Sequence, residues 1–202
     1  MLTAQNSFLL KISKFISNFF NPLTSFFLYI LYFSIKNYTW KEASEHFLPV
    51  VFIMIVPIII WIVRKVRTGK YTNMDVSDRH ERKSLYFFIA GVIGVYLLYD
   101  YFFRDTVDFS ILFLLILLLV MQFSNYFIKS SMHTAFNVFV SALFFVQDYR
   151  LGIFWFVLSV LVGITRIILK RHTPKEVLSG GLIASVISAM YFFVYLNSQY
   201  QP

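Results

Sequence analysis

The chain has 202 residues, of which 58% are hydrophobic and 20% aromatic, while only 14% are charged. A soluble domain carries about 25% charged residues, so this chain has more apolar surface than one compact core can bury, and a bilayer is its expected solvent. The net charge of +8 favours anionic lipid headgroups or phosphate over nucleic acid, because the basic residues occur in short loops between apolar runs. The absence of cysteine excludes disulfides and thiolate metal sites.

Seven apolar segments approach the roughly 17–25 residues that a membrane-spanning helix needs. Their uniform apolarity is not the alternating pattern of a transmembrane barrel, so an all-α, polytopic transmembrane helix bundle in one domain over residues 1–202 is predicted. The first segment is interrupted by Asn18, Asn21 and Pro22, and the fifth is short. Six core spans are therefore predicted, with a seventh span or an interfacial N-terminal helix left open. The segments are 16–35, 47–63, 85–103, 109–127, 132–146, 151–169 and 177–196.

Alternating the spans across the membrane separates the polar connections into two groups. One side receives fourteen of the 18 Lys and Arg, and the other receives four of them with six acidic residues. The first side is called the basic face, and nearly all unusual polar residues are predicted to lie there. The basic face comprises the N-terminal tail, residues 64–83, 124–132 and 170–176, and Arg166.

The connection before the last span is the most informative. Arg166 lies in an otherwise apolar run, where an arginine is costly unless it pairs, faces a polar cavity or extends to the interface. Thr173, Pro174 and Glu176 have the spacing of a capping box that opens the last helix. His172 stands four residues before Glu176, so this carboxylate can hold one ring nitrogen and leave the other free to attack. In the purely structural interpretation, Glu176 serves the cap alone.

A second cluster, Lys129-Ser130-Ser131-Met132-His133, precedes the fifth span. Ser130 or Ser131 is expected to cap that helix, which leaves His133 in its first turn. Helix N-termini favour anions, so two such termini with a histidine each and nearby cations would form a phosphate pocket. Taken alone, His133 is more typical of an interfacial residue than of a catalyst, and the functional prediction depends on the combination.

The longest polar connection, residues 64–83, supplies further cations. Its predicted phosphate ligands are Arg79, Arg82 and Lys70. Arginine is suited to this role because its planar guanidinium can bind two oxygens of one phosphate. The alternative is a solvated basic loop that is attracted to anionic lipid.

These clusters resemble the signature of the type-2 phosphatidic acid phosphatase family of membrane lipid phosphatases. That signature has three parts: Lys-x6-Arg-Pro, then Pro-Ser-Gly-His, then Ser-Arg-x5-His-x3-Asp. The second part is similar to residues 130–133 here, and the third is similar to Thr165-Arg166, His172 and Glu176 at the same spacing. The order of the parts agrees, as do the two predicted spans between successive parts, so the resemblance covers residues 70–181.

The chain departs from this signature in each part. No lysine stands seven residues before Arg79 or Arg82, so the cation of the first part has no counterpart at the family's spacing, and Lys129 is an alternative source of it. The replacements are Lys83 and Ser130 for Pro, Met132 for Gly, Thr165 for Ser and Glu176 for Asp.

The resemblance implies a reaction without metal or cofactor, because side chains supply the cations. His172 would attack the phosphorus and form a phosphohistidine, while Glu176 orients the imidazole. His133 would protonate the leaving lipid oxygen and then activate water. The residues implied to bind the phosphoryl oxygens are Arg166, Ser131, Arg79, Arg82, Lys70 and Lys129.

Three functions are compatible with the residues: a phosphatase of a lipid phosphate or isoprenoid diphosphate, a non-catalytic phospholipid-binding or transport protein of the same fold, and an unrelated small transporter. The two histidines and the arginine favour the first. The predicted partners are the lipid phosphate substrate and membrane lipids, in a multi-pass protein of the cell membrane. The resemblance favours an extracytoplasmic site, whereas the positive-inside rule would put the basic face in the cytoplasm.

Overall fold

The computed structural model describes residues 3–76 and 78–199, and within these ranges every regular element is a helix and none is a strand. The predicted helical class is therefore confirmed. The helices are α1 (Thr3–Phe19), α2 (Pro22–Asn37), α3 (Trp40–Pro49), a π-helical segment (Val50–Ile55), α4 (Val56–Arg67), α5 (Arg79–Arg104), α6 (Phe109–Ser124), α7 (Met132–Gln147), α8 (Tyr149–Ile168) and α9 (Pro174–Gln199).

Four helices of the described chain are long and apolar enough to cross a membrane, as expected of a membrane protein. α6 and α7 are also apolar but shorter, at 16 residues each. The four long helices are Trp40–Arg67, Arg79–Arg104, Tyr149–Ile168 and Pro174–Ser198.

The first predicted span is wrong as a continuous helix, because the chain breaks between α1 and α2. Pro22 begins α2, where its missing N–H costs nothing. The side chain of Asn21 is hydrogen-bonded to both helices: its Nδ2 donates to the carbonyl of Asn18 in α1 (2.7 Å), and its Oδ1 accepts from the N–H of Thr24 in α2 (3.1 Å). The two polar residues and the proline that interrupt the apolar run therefore end one helix and start the next.

The helix over residues 40–67 changes its hydrogen bonding in the middle. Val50–Ile55 is a π-helix, in which the N–H of Val56 donates to the carbonyl of Val51. Pro57 follows directly and has no N–H to offer the preceding turn. The wider π turn before this proline keeps the two halves in one helical run.

The chain forms two compact units, one of residues 1–29 and 127–202 and the other of residues 30–126. In the first unit, α7 is the central helix. Every side chain from His133 to Phe144 is buried, because α8 and α9 both pack along α7. Ser25 and Tyr29 of α2 lie against Asn137 and Phe144 respectively, so residues 22–29 of α2 run parallel to α7.

Asn137 makes a buried polar junction in the first unit and is 0% exposed. Its Nδ2 donates to the carbonyls of Phe20 (2.9 Å) and His133 (2.8 Å). Its Oδ1 accepts from Ser25 Oγ (2.9 Å) and Trp155 Nε1 (3.2 Å). All four hydrogen-bonding positions of the amide are filled, and they join the α1–α2 break to α7 and α8.

In the second unit, α5 and α6 are antiparallel neighbours that are bonded at both ends. At one end, Asp100 binds Arg104 (3.1 Å) and accepts from the N–H of Asp108 (2.9 Å). At the other end, Arg79 and Asn125 exchange hydrogen bonds. These contacts fix the register of the two helices against each other.

Candidate active site

The turn between α8 and α9 positions His172 through the carbonyl of Arg166. α8 ends in a Schellman motif, with Lys170 in the left-handed region at φ 54°. The N–H of Lys170 donates to the carbonyl of Ile167 (2.9 Å), and the N–H of Arg171 donates to that of Arg166 (3.0 Å). The N–H of His172 also donates to the carbonyl of Arg166 (3.3 Å). The six-residue step from arginine to histidine is therefore one tight helix end.

The predicted capping box at the start of α9 is confirmed. The Thr173 N–H donates to Glu176 Oε2 (3.0 Å), and the Glu176 N–H donates to Thr173 Oγ1 (3.3 Å). The same oxygen of Glu176 lies 2.9 Å from Nδ1 of His172, whose side chain is fully buried. Glu176 therefore serves both as the partner in the helix cap and as the partner of the imidazole, because the cap fixes the carboxylate and the carboxylate fixes the imidazole.

The predicted cap of the fifth span is also confirmed, and it belongs to Ser131. Its Oγ accepts from the N–H of Thr134 (3.4 Å), and its own N–H donates to the carbonyl of Glu176 (2.9 Å). Ser130 Oγ lies 2.7 Å from Ser179 Oγ. Gly180 permits this approach, since a Cβ there would lie 2.6 Å from the carbonyl oxygen of Ser131. The N-termini of α7 and α9 are thus in direct contact.

His133 lies in the first turn of α7, two residues beyond this contact, and is buried. The second and third signature-like clusters, which are some 40 residues apart in sequence, meet at one end of the first unit. The segment that carries Lys129 also lies at this end, and Lys129 is half-buried.

Arg166 is 2% exposed, so its side chain does not extend into solvent. Its Nη1 donates to Ser17 Oγ of α1 at 3.0 Å. A buried guanidinium requires such polar partners. Ser17 is not among the residues predicted from the sequence, where the signal was weak: Ser13 and Ser17, four apart, are both buried and form a small polar stripe on the buried side of α1.

The remaining predicted ligands belong to the second unit. Arg79 is half-buried, and its Nε donates to the carbonyl of Asn125 (2.6 Å). Arg82 is buried, and its Nε donates to the carbonyl of Val76 (3.0 Å). Lys70 is exposed. Each arginine therefore closes a local turn or helix end of its own unit, and a role for these three residues in binding phosphate stays a prediction.

One end of the first unit thus carries the carboxylate-bound imidazole of His172, the buried His133 and two helix N-termini, and the last turn of α8 there contains the buried Arg166. Helix N-termini and guanidinium groups favour anions. An imidazole with one nitrogen on a carboxylate is arranged for nucleophilic or general base chemistry at the other nitrogen. Together these groups are suited to phosphoryl transfer.

Comparison with known proteins assigns no family to this geometry: no family model matches the chain, and no curated protein or solved structure is significantly similar to it.

Proposed function

We propose that the protein is an integral membrane phosphatase that hydrolyses a lipid phosphate or isoprenoid diphosphate through a phosphohistidine intermediate. The observation that carries the proposal is the buried His172 imidazole, 2.9 Å from Glu176 Oε2. This pair stands where the N-terminus of α7 meets that of α9, through the bond from the Ser131 N–H to the Glu176 carbonyl.

In the first step, Nε2 of His172 attacks the phosphorus, because Nδ1 is engaged by Glu176. An N–P bond forms and the P–O bond to the lipid breaks. His133 gives a proton to the leaving oxygen. The negative charge of Glu176 stabilises the imidazolium that results, and Arg166 stabilises charge on the phosphoryl oxygens.

In the second step, water attacks the phosphorus and the N–P bond breaks. His133, now neutral, takes the proton of the water, and inorganic phosphate leaves. Both steps use the same imidazole pair, so no further acid or base is needed. Ser131 contributes a helix N-terminus, while Lys129, from the same end of the first unit, is proposed as a further cationic ligand.

We also propose six core membrane spans, formed by residues 40–67 and by α5 to α9, with α2 as a seventh. At about 1.5 Å per residue, the 16 residues of α6 or α7 extend about 24 Å, and the polar residues that flank them reach the headgroups. α2 is included because its residues 22–29 lie parallel to α7. The catalytic end is assigned to the extracytoplasmic side.

The proposal is tested by phosphate release from a short-chain phosphatidic acid, with the purified protein in detergent and a metal chelator present. We expect wild-type protein to release phosphate under these conditions and His172→Ala to release none. The matched control is His80→Ala, because His80 is exposed in the first turn of α5.

Quenching during turnover with denaturing detergent at alkaline pH should trap phosphate on the protein in a bond that is stable to base and labile to acid. Activity that survives His172→Ala would reject the assigned nucleophile. Activity that vanishes in the chelator and returns with a divalent cation would reject the metal-free mechanism.

A further inference from the structure

The end of α6 carries a buried amide that the proposed reaction does not use. Gln122 is 7% exposed, and neither its Nε2 nor its Oε1 has a hydrogen-bond partner within the described chain. Asn125, three residues later, is 2% exposed, and its Oδ1 is likewise unpartnered there. Residues three apart on a helix share a face, with Cβ atoms about 5–6 Å apart. One unused donor group and two unused acceptors therefore lie together in the second unit.

Positive charge adjoins this pair of amides. The Arg79 guanidinium donates from Nε to the carbonyl of Asn125 (2.6 Å), and Asn125 Nδ2 donates to the carbonyl of Arg79 (3.2 Å). Because α5 and α6 are antiparallel, Arg82 and Gln122, each three residues further into its helix, lie at the same level. Arg82 is itself buried, and its Nε donates to the carbonyl of Val76 (3.0 Å).

The chemistry of the occupant follows from the unused atoms. A buried amide without partners is costly, and buried polar groups in folded proteins are seldom left in this condition. The nitrogen of Gln122 requires an acceptor, and the two amide oxygens require donors. An ammonium headgroup would supply donors, but the adjoining Arg79 guanidinium repels it. A hydroxyl-bearing anion supplies donors and acceptors and is attracted by that guanidinium.

We propose that Gln122, Asn125 and Arg79 form a binding site for an anion that carries hydroxyl groups. Two sources share this chemistry: the headgroup of a polyol phospholipid, such as phosphatidylglycerol, and a soluble polyol phosphate. The proposal needs only binding, so it stands or falls separately from hydrolysis at His172.

The test is thermal unfolding of the full chain in nanodiscs. Discs of phosphatidylcholine alone are compared with discs that also contain phosphatidylglycerol or phosphatidylmethanol, which has the same phosphodiester charge without headgroup hydroxyls. A further sample has soluble glycerol phosphate added to phosphatidylcholine discs. We expect the melting temperature to rise with phosphatidylglycerol, with glycerol phosphate or with both, and the responding arm identifies the source. Phosphatidylmethanol is expected to give a smaller rise.

The decisive variant is Gln122→Leu. In phosphatidylcholine discs it should raise the melting temperature, on the order of 2–4 °C, because an apolar side chain of similar size replaces an unpaired amide. The same variant should lose the rise that the ligand produces. Gln122→Met repeats the test with an unbranched side chain. Leu118→Met is the matched control, since Leu118 is buried one turn earlier on the same helix and the exchange conserves volume.

Two results would overturn the site. One is a wild-type melting temperature that rises equally with phosphatidylmethanol and phosphatidylglycerol, or that responds to none of the ligands. The other is a ligand response that Gln122→Leu and Gln122→Met both retain.

Discussion

At the scale of single residues, a short chain of hydrogen bonds orients the His172 imidazole. The Thr173 N–H fixes the Glu176 carboxylate, which binds Nδ1 of His172, while the His172 N–H is held by the carbonyl of Arg166. The side chain of that arginine is in turn bound by Ser17. A side chain in α1 therefore acts on the proposed reaction through Arg166 and does not itself need to touch the substrate.

Ser17→Ala removes the acceptor of Arg166 Nη1 and should lower kcat more than it changes KM. A lost hydrogen bond to a charged group, worth about 1.5 kcal/mol, corresponds to roughly a tenfold loss of rate. Steady-state kinetics on the short-chain substrate measure the effect. Ser17→Thr should recover activity because it restores the hydroxyl. The control is Ser13→Ala, one turn earlier and equally buried. An unchanged kcat in Ser17→Ala would show that Ser17 does not position the guanidinium.

Asn137 is predicted to be the most sensitive buried polar residue of the first unit. Asn137→Leu strands Ser25 Oγ, Trp155 Nε1 and the carbonyl of Phe20 in apolar surroundings, which should cost about 2–5 kcal/mol. Thermal unfolding in detergent measures the loss. Ser141→Ala is the comparison, because within the described chain the buried Ser141 Oγ bonds only to the carbonyl of Val138 in its own helix. Similar losses in both variants would contradict the proposed importance of this junction.

At the scale of elements, side-chain caps set where helices begin. Asp78 precedes α5, and its carboxylate accepts from the N–H groups of His80 (2.7 Å) and Glu81 (3.1 Å). The hydrogen bonds from Glu81 and His80 lower the pKa of the Asp78 carboxyl below its ordinary value of 3.8. Asp108 caps α6 in the same way, but burial raises the pKa of its carboxyl.

Asp78→Ala should destabilise the protein by about 1 kcal/mol at neutral pH, the usual effect of losing an N-cap. Since the folded carboxyl has the lower pKa, its contribution is complete above pH 3.8 and decreases as the pH falls through the folded-state pKa. Melting temperatures of both proteins should therefore converge in acid. Asp78→Asn keeps an acceptor that does not titrate, so its advantage over Asp78→Ala should be independent of pH. A difference that persists undiminished in acid would argue against the cap.

At the scale of the whole molecule, the number of crossings decides where the ends of the chain lie. Seven crossings put the N-terminus and the C-terminus on opposite sides of the membrane, and an extracytoplasmic site puts the N-terminus outside with the basic face.

Reporter fusions at the two ends test this topology. An enzyme active only outside the cytoplasm should work at the N-terminus, and a protein fluorescent only in the cytoplasm should work at the C-terminus. Both ends on one side would leave α2 out of the spans. Reversed signals would place the site in the cytoplasm, as the positive-inside rule predicts.

Local sequence was sufficient for the helices and their caps. The last four apolar runs located α6 to α9 to within three residues of their ends, whereas the helices that contain the second and third runs begin seven and six residues earlier than predicted. Thr173, Pro174 and Glu176 gave the start of α9. The exception was residues 16–35, where Asn21 and Pro22 stopped the helix although the run was apolar on both sides. Helix caps and helix breaks depend on residues three or four positions apart, so they can be predicted from the local sequence.

The pairings of distant residues were decided only by tertiary structure. Ser17 with Arg166, Asn137 with Phe20 and Ser131 with Glu176 each join segments more than 40 residues apart, and the unpartnered amide of Gln122 became visible only once its surroundings were packed. Sequence determines which side chains need a polar partner, because that need belongs to the residue itself. Which partner meets the need depends on helix contacts and register, and these are settled by the packing of the whole chain.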